Sequence, residues 1–236
     1  MIIHTQNRSN QKEIMDNFEL QGEELKMVLQ DLKLVNKYLG GNAITINGIK
    51  KLIANIPIEK EIVIMDIGCG DGHMLLKCAE YAQKNNRNFR LIGLDANKHT
   101  IINAKEKSKL VPNISFVSLD VFSEVFKKCH ADIFLCTLTL HHFKEIEIRQ
   151  FLKTLIPLAN VGVVINDLHR NVLAYQLFKV FSTIFFKSKI AKNDGLISIL
   201  RGFKRADLEE FARPLPIKSQ TIHWKWAFRY QWILQK

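Results

Sequence analysis

The sequence predicts an α/β fold: a doubly wound, seven-stranded and mostly parallel sheet, with extra N-terminal helices and a helical insertion after the fifth strand. Three observations lead to this prediction. Five continuous apolar runs of strand length alternate with segments of helical periodicity, which is typical of a parallel sheet covered on both faces. The first run ends in a glycine-rich turn. The C-terminal segment 219–236 alternates polar and apolar residues, as the two strands of a hairpin do.

The part of the chain before the first strand, residues 1–58, is expected to form a helical extension or cap. Residues 1–12 are polar, and we expect them to be loosely held. Apolar residues then recur at helical spacing over 15–39, and the glycine pair of "GGN" ends that helix. A second, shorter helix is expected over 44–56, before Pro57.

Residues 59–236 are expected to form the main domain, in which strands and helices alternate. Its apolar runs are continuous and rich in β-branched residues, as buried parallel strands are. Strands are expected at 61–68, 89–96, 114–121, 131–140 and 161–168, with helices at 72–85, 99–109, 123–129 and 144–156.

The helical insertion is expected at about 171–202. Its run "VLAYQLFKVFSTIFF", over 172–186, is apolar nearly all round and is interrupted only by Lys179. The run is too short to span a bilayer. A buried helix, a lid over a site, a dimer face and a membrane-surface helix all fit this pattern, with the buried helix or lid favoured.

Composition indicates an ordinary globular chain with a basic surface. The chain has 236 residues and a formal net charge of +11. The simplest interpretation of this charge is a solvated, lysine-rich surface without a specific partner. A basic surface could also attract nucleic acid, an anionic membrane or acidic metabolites. Because the sequence has no run of five like charges and no RNA-binding signature, nucleic acid is not expected as a partner.

Cysteine usage and the N-terminal segment predict a cytoplasmic protein. The four cysteines form no CxxC pair, so we expect free thiols in a reducing compartment. The start of the chain lacks a signal pattern, and no apolar run reaches about 18 residues, so no membrane span is expected. The oligomeric state is left open between a monomer and a homodimer.

The loop after the first strand carries the strongest functional pattern, "DIGCGDG" at 66–72. In a doubly wound sheet, ligands bind at the carboxyl ends of the strands, and glycines let the backbone approach a ligand closely. Asp66 and Asp71 bring two carboxylates to this loop. Negative charge there repels a pyrophosphate, but it suits a ligand that carries an ammonium and a sulfonium group. S-adenosylmethionine (SAM) carries both.

From residue 59 to the C-terminus, the chain resembles the class I SAM-dependent methyltransferases, which implies a Rossmann-like methyltransferase fold. "DIGCGDG", "LIGLDAN" and "SFVSLDVF" are similar to the family's successive strand ends. The resemblance implies that Asp95 accepts hydrogen bonds from the ribose hydroxyls of SAM. It also implies that Asp120 accepts from the adenine amino group and that the amide of Val121 donates to the ring. The residues expected to bind SAM, or its product S-adenosylhomocysteine (SAH), are Asp66, Gly68, Cys69, Gly70, Asp95, Ala96, Asp120, Val121 and Thr137.

A finer resemblance covers nearly the whole chain. "DLKLVNKYLGG", "NDLHRNVLAYQLFK" and "NDGLISILRGFKRADLEEFA" are similar to a bacterial subgroup associated with phenolic or polyketide-type secondary metabolism. The resemblance implies O-methylation of a small, lipophilic acceptor, such as a hydroxylated aromatic or polyketide-type metabolite.

A methyl transfer to a hydroxyl group is helped by a general base, and histidine has a suitable pKa. His141 and His142 follow the fourth strand, whose alternation would aim one of them at the cleft, and we favour His142. A packing role for both is equally compatible with the sequence. His169, after the fifth strand, is a further candidate. No metal site is expected, because the sequence shows no further ligands beside the histidine pair.

Five more positions are candidates for contact with the acceptor or for a lid over it. Arg170 could hold an acidic group of the acceptor, and Tyr38 lies on an apolar face of the first helix. Arg201, together with Asp194 and Phe203, could form a lid contact.

Three alternatives stay open. An RNA or protein methyltransferase is disfavoured because the D/N-P-P-Y motif is absent after the fourth strand, where 139–142 read "TLHH". A non-catalytic SAM-binding partner protein would share the loop but leave no room for an acceptor. A nicotinamide oxidoreductase is disfavoured by the acidic loop.

Overall fold

The computed structural model describes residues 4–38 and 40–236. Within them, seven strands form one sheet in the order β3-β2-β1-β4-β5-β7-β6, with β7 antiparallel to both of its neighbours and the other pairs parallel. The strands are β1 (Ile62–Ile67), β2 (Phe89–Asp95), β3 (Ile114–Ser118), β4 (Ala131–Thr137), β5 (Ala159–Leu168), β6 (Ser219–Lys225) and β7 (Arg229–Gln235). The predicted fold class is confirmed. The strand order reverses between β1 and β4, which is where such sheets bind ligands.

Helices cover both faces of the sheet. They are α1 (Gly22–Tyr38), α2 (Gly41–Leu52), α3 (His73–Lys84), α4 (Lys98–Ser108), α5 (Glu145–Leu158), α6 (Val172–Phe185), α7 (Lys189–Arg201) and α8 (Arg205–Ala212). One core cluster lies on the face of α5 and α8, and a second lies on the face of α2, α3 and α4. A third, smaller cluster joins α1 to the ends of α6 and α7 through Val28, Val35, Phe186 and Ala191. It builds a cap over the carboxyl edge of the sheet.

The first predicted helix, over 15–39, begins later in the structure. A separate 3₁₀ turn covers Ile14–Asp16, and α1 starts at Gly22. The buried carboxylate of Asp194 accepts hydrogen bonds from the amides of Ile14 and Met15, at 3.0 and 2.9 Å. This tertiary contact holds residues 14–16 in a separate turn, although the local pattern favours a continuous helix. The predicted end at residue 39 lies outside the described residues.

Residues 4–12 are not loosely held, contrary to the expectation. Together with 13–20 they form an N-terminal strap over the carboxyl edge of the sheet. Arg170 donates to the carbonyl oxygens of Thr5 and Gln6 at 3.0 and 2.9 Å. Arg8 donates to the carbonyl of Arg201 at 2.8 Å. Polar composition is therefore compatible with order here, because the buried Arg170 binds the backbone of the strap and Arg8 of the strap binds the backbone of α7.

Strand β4 ends at Thr137, three residues earlier than predicted. Leu140–His142 form a 3₁₀ turn, so strand alternation does not decide the directions of His141 and His142. The short helix predicted at 123–129 is likewise a 3₁₀ turn, Phe126–Lys128.

The insertion after β5 holds two helices, α6 and α7. A buried α6, one of the two favoured alternatives, does not fit the structure, because only Ala174 and Ser182 on this helix are buried. The other favoured alternative, a lid over a site, stays a prediction. Among the described residues, no helix combines the length and the hydropathy needed to cross a bilayer.

Candidate functional site

A cavity of about 880 Å³ opens at the carboxyl edge of the sheet, beside the point where the strand order reverses. Its walls come from the β1 loop, the ends of β2, β3 and β4, the N-terminal strap, α1, α6, α7 and the β6–β7 turn. Twelve of the residues expected at the site lie in these walls: Asp66, Gly68, Cys69, Gly70, Asp95, Ala96, Asp120, Val121, Thr137, His141, His142 and Arg201. His169, Arg170 and Tyr38 are not among the residues that line it.

Glycines fix the path of the loop after β1. Gly68 and Gly70 have φ values of +64° and +54°, in the left-handed region that glycine adopts most readily. A Cβ on Gly68 would lie 2.5 Å from the side chain of Thr139. A Cβ on Gly70 would meet no atom within 4 Å, so this backbone faces open cavity.

We expect Gly68→Ala to lower the free energy of unfolding by about 2–4 kcal/mol, because it adds a clash with Thr139 to the left-handed backbone. Gly22→Ala is the matched control. Gly22 has a φ of +69° with no atom within 4 Å of a built Cβ, so only the backbone cost of about 1 kcal/mol applies. Urea denaturation of both variants measures the difference. Equal losses would contradict the packing assigned to Gly68.

Asp95, at the end of β2, ties this loop to the sheet. Its two carboxylate oxygens accept the amide of Gly70 at 3.0 Å and the amide of Asn97 at 2.9 Å. Burial raises the pKa of Asp95, and these two amides oppose that rise. Each oxygen keeps a further lone pair, so the carboxylate can still accept from a ligand in the cavity.

Asp66, at the end of β1, is a buried carboxyl with an open oxygen. The residue is 2% exposed, and its Oδ1 has no hydrogen-bond partner among the described residues. Burial, reinforced by the charge of Asp95, raises the pKa of Asp66 to about 8. A buried carboxylate is stabilised by an opposite charge, so this position is suited to a cationic ligand.

Asp71 does not provide the second open carboxylate that the loop sequence suggested. Its Oδ2 lies 2.5 Å from Nζ of Lys107, and its Oδ1 accepts the amide of His73 at 3.2 Å. The first loop therefore presents one uncompensated acid, Asp66. The pairing was not visible in the sequence, because Lys107 lies on α4.

Asp120 and Thr137 line the cavity on either side of this loop. The carboxylate of Asp120 accepts the amide of Phe122 at 2.9 Å, which shapes the turn after β3. The hydroxyl of Thr137 lies 3.0 Å from that of Thr45, so α2 is bound to the end of β4.

The histidine pair is held by two aspartates from different parts of the chain. His141 is buried, and its Nδ1 lies 2.7 Å from Oδ1 of Asp167. Burial raises the pKa of Asp167, but the contact with His141 outweighs it, and the pKa is lower than usual. His142 is partly exposed to the cavity, and its Nδ1 lies 2.7 Å from Oδ1 of Asp16.

Asp16 belongs to the strap and also binds Arg201, whose Nη1 lies 2.7 Å from Oδ2. Burial raises the pKa of Asp16, but hydrogen bonds from His142 and Arg201 lower it well below its usual range. Arg201 also donates to the carbonyl oxygens of both histidines, with Nε 3.0 Å from that of His141. Its guanidinium is thus committed to holding the turn.

Glu13 is a site residue that the sequence did not reveal. It is 5% exposed, and its Oε1 lies 3.7 Å from Nε2 of His141 and 3.8 Å from Nδ1 of His142. Burial raises the pKa of Glu13 to about 7. No local pattern marks it, because the contacts join positions more than a hundred residues apart.

Glu13, His141 and His142 bring three metal-ligating residue types together, so the expectation that no further ligand accompanies the histidines is wrong. However, Arg201 Nη1 lies 3.7 Å from Oε1 of Glu13, as near as His141 does. The guanidinium of Arg201 supplies the positive charge that a metal ion would supply. In addition, Nδ1 of His142 is hydrogen-bonded to Asp16 and is not available to bind a metal. We therefore assign no metal to the cluster.

The other three candidates, Arg170, His169 and Tyr38, do not line the cavity. Arg170 is buried and donates to the strap, to the carbonyl of Gly202 and to Asp207, so it is removed from the candidate acceptor site. His169 accepts from the indole of Trp224 at 3.2 Å and lies outside the cavity wall. Tyr38 is 62% exposed at the end of α1.

Two further lid candidates are structural. Asp194 binds the amides of the 3₁₀ turn of the strap. Phe203 is fully buried, and the guanidinium carbon of Arg8 lies 4.6 Å from its ring centroid.

Comparison with known proteins agrees with this architecture. Residues 64–162 match the family model described as "Methyltransferase domain". No curated protein matches the chain in sequence. Solved structures with the same fold include several methyltransferases, all below 25% identity, so these similarities establish the fold alone.

The plantazolicin methyltransferase BpumL in complex with SAH has a TM-score of 0.65 and 16% identity, covering 90% of this chain and 95% of that one. The magnesium protoporphyrin IX methyltransferase ChlM from Synechocystis PCC 6803, with bound SAH, has a TM-score of 0.55 and 17% identity, covering 83% and 82%. An O-methyltransferase described as putative, from Nostoc punctiforme PCC 73102, has a TM-score of 0.59 and 19% identity, covering 89% and 60%.

Proposed function

We propose that this chain is a SAM-dependent methyltransferase that methylates a hydroxyl group of a small, lipophilic acceptor. The observation that carries the proposal is the buried carboxyl of Asp66. Its unpartnered oxygen sits at the end of β1, beside a glycine loop with room for a ligand. The match of 64–162 to a methyltransferase domain supports the same conclusion.

In this proposal, each of the three acidic strand ends binds a different part of SAM. Asp66 receives the ammonium group of the amino-acid part, since it is the one uncompensated acid of the loop. Asp95 accepts hydrogen bonds from the ribose hydroxyls. Because Asp95 also accepts a hydrogen bond from the amide of Gly70, it fixes the position of the loop relative to the sugar. Asp120 and the amide of Val121 hold the adenine, as the family resemblance implies.

When bound, SAM supplies a methyl group that its sulfonium already activates. The protein then has to align the acceptor oxygen, exclude water and take up one proton. As the oxygen–carbon bond forms and the carbon–sulfur bond breaks, SAM becomes SAH and the hydroxyl proton must leave.

His142 takes that proton in our proposal. Asp16 accepts a hydrogen bond from Nδ1 of His142, which leaves the lone pair on Nε2 free to act as a base. His142 lines the same cavity as Asp95, the residue that we assign to the ribose. His141, more deeply buried between Asp167 and Glu13, supports the turn from behind.

The rest of the cavity is suited to a lipophilic acceptor. Its outer walls carry aliphatic and aromatic side chains from α1, α6 and the β6–β7 turn: Leu25, Leu29, Leu32, Leu177, Phe178, Phe181 and Trp226. Such a lining favours an aromatic or polyketide-type molecule over a nucleic acid, whose phosphates need cationic partners.

Calorimetric titration of the protein with SAM, SAH and NAD tests the cofactor first. We expect saturable binding of SAM and SAH and none of NAD. A screen of phenolic acceptors with SAM labelled in the methyl group then tests the reaction. Binding of NAD, or no binding of SAM and SAH by folded protein, would refute the proposal. Binding without transfer to any phenol would favour a non-catalytic SAM-binding protein.

A further inference from the structure

Helix α6 presents an apolar stripe to solvent. Leu173, Leu177, Val180 and Ile184 are 57%, 49%, 60% and 68% exposed. Their spacing of four, three and four residues places them within about 60° of one another around the helix axis. The opposite face packs inward through Ala174 and Ser182. The outer stripe is thus a surface without a covering element in the described chain.

The stripe is continuous with the mouth of the cavity. Leu177 belongs to both, and two more cavity residues, Phe18 and Trp226, are 55% and 65% exposed. Exposed aromatic and aliphatic side chains around a cavity opening mark an interaction site, because single scattered apolar residues are normal but contiguous patches are not. Tryptophan is also typical of the boundary between water and lipid.

The exposed charge on α6 and on the segments that flank it has one sign, and an acid that packs against them, Asp31 of α1, is buried and accepts hydrogen bonds from the amides of Lys187 and Ser188. Between Asp167 and Asp194 the sequence contains five lysines and arginines and no acidic residue. Lys179, Lys187 and Lys189 are exposed there and form no ion pair with the described residues. This surface therefore combines unpaired positive charge with exposed aliphatic side chains.

We propose that α6 and the adjoining lysines dock the protein on an anionic membrane surface, with the stripe in the headgroup region and the cavity mouth facing the lipid. An apolar helix face bordered by lysines is the pattern of interfacial helices that bind anionic lipid. A second copy of the chain is the poorer occupant, since a twofold interface through α6 would bring the two sets of lysines together. A lipophilic acceptor could then enter the cavity from the bilayer.

Cosedimentation of the full chain with extruded vesicles tests this docking. It needs neither SAM nor an acceptor, so it is independent of the proposed methyl transfer. We expect at least about tenfold stronger binding to phosphatidylcholine vesicles containing phosphatidylglycerol than to phosphatidylcholine alone. Removal of each lysine in Lys187→Gln and Lys189→Gln should weaken binding about fivefold. Raising the salt concentration should also weaken it.

The double variant Val180→Glu/Ile184→Glu should lower vesicle binding at least about tenfold. Neither side chain lines the cavity, so SAM binding and the melting temperature should be unchanged. The matched control is Ile102→Glu/Leu110→Glu, which alters two side chains that are 63% and 87% exposed elsewhere on the molecule and should bind as wild type does.

Two results would overturn the proposal. One is absence of binding to either vesicle, or equal binding to both, by folded protein. The other is self-association in sedimentation velocity that Val180→Glu/Ile184→Glu abolishes, without vesicle binding, which would assign the stripe to a second copy of the chain.

Discussion

Asp66→Asn is expected to weaken the binding of SAM and SAH by about 30-fold or more. Removing one member of a buried, charged pair costs about 2 kcal/mol or more, and about 1.4 kcal/mol corresponds to a factor of ten in affinity. Asparagine keeps the size of the side chain but cannot neutralise an ammonium group. Both ligands carry that group, so both should be affected, and calorimetry measures each dissociation constant.

The same variant should make the unliganded protein more stable at neutral pH. Burial raises the pKa of Asp66 from 3.8 to about 8, so the folded state holds a proton that the unfolded state releases above pH 4. The contribution of Asp66 to the free energy of unfolding therefore falls as pH rises from about 4 to about 8. Asp66→Asn removes this dependence and should gain stability by pH 7, as urea denaturation across the pH range would show.

Asp132→Asn is the matched control for this experiment. Asp132 accepts the amide of Val63 at 2.9 Å, so it also joins β4 to β1, but it does not line the cavity. It should leave the affinity for SAM unchanged. If Asp66→Asn binds SAM as tightly as wild type, the assignment of Asp66 to the ammonium group is wrong.

The sheet and the acidic strand ends could be predicted because their signals are local. Buried parallel strands produce continuous apolar runs, and a ligand loop needs glycine where φ is positive. Asp66 and Asp95 lie at the ends of such runs, and Asp120 follows the less buried edge strand β3. Their meeting at one edge then follows from the parallel arrangement alone.

The support of the histidine pair could not be predicted in this way. Asp16 meets His142 across 126 positions of sequence, and Glu13 directly follows the polar segment 1–12, which is expected to be loosely held. The strap is held by Arg170, after β5, and by Arg201, at the end of α7, which donate to the backbone carbonyls of Thr5 and Gln11. No periodicity reports such contacts, because they depend on where two distant elements pack.

Arg170 shows that a residue at the expected edge of the sheet need not contact the ligand site. Its place after β5 suggested an acceptor contact, since loops at this edge border the pocket in such folds. Sequence position gives the end of the strand, but it does not give the direction of a long side chain. The guanidinium turns toward the strap and Asp207 and away from the cavity.

Helix α6 shows a related limit of sequence patterns. A helix that is apolar nearly all round is typical of a buried position, yet its outer stripe is exposed. Hydrophobicity alone does not distinguish a protein core from the headgroup region of a bilayer, because both receive apolar side chains. The lysines around the stripe favour the headgroup region over a protein core.

His142→Gln is expected to lower kcat of methyl transfer to a phenol about 10²- to 10⁴-fold while SAM affinity stays within about twofold of wild type. A positioned general base contributes a factor of this size, and glutamine keeps a polar side chain without a titratable nitrogen. The measurement is single-turnover transfer from labelled SAM to the phenol that reacts fastest in the acceptor screen. His130→Gln, at an exposed position outside the cavity wall, should react as wild type does.

Asp16→Asn separates the proton-accepting role from simple packing. Asparagine still reaches Nδ1 of His142, but it no longer favours the tautomer that leaves Nε2 free. We expect a smaller loss of kcat than in His142→Gln, and almost no further loss when both changes are combined, because the two residues act as one unit. Fully additive losses would mean that Asp16 acts independently of His142. Unimpaired transfer by His142→Gln would show that the acceptor proton leaves by another route.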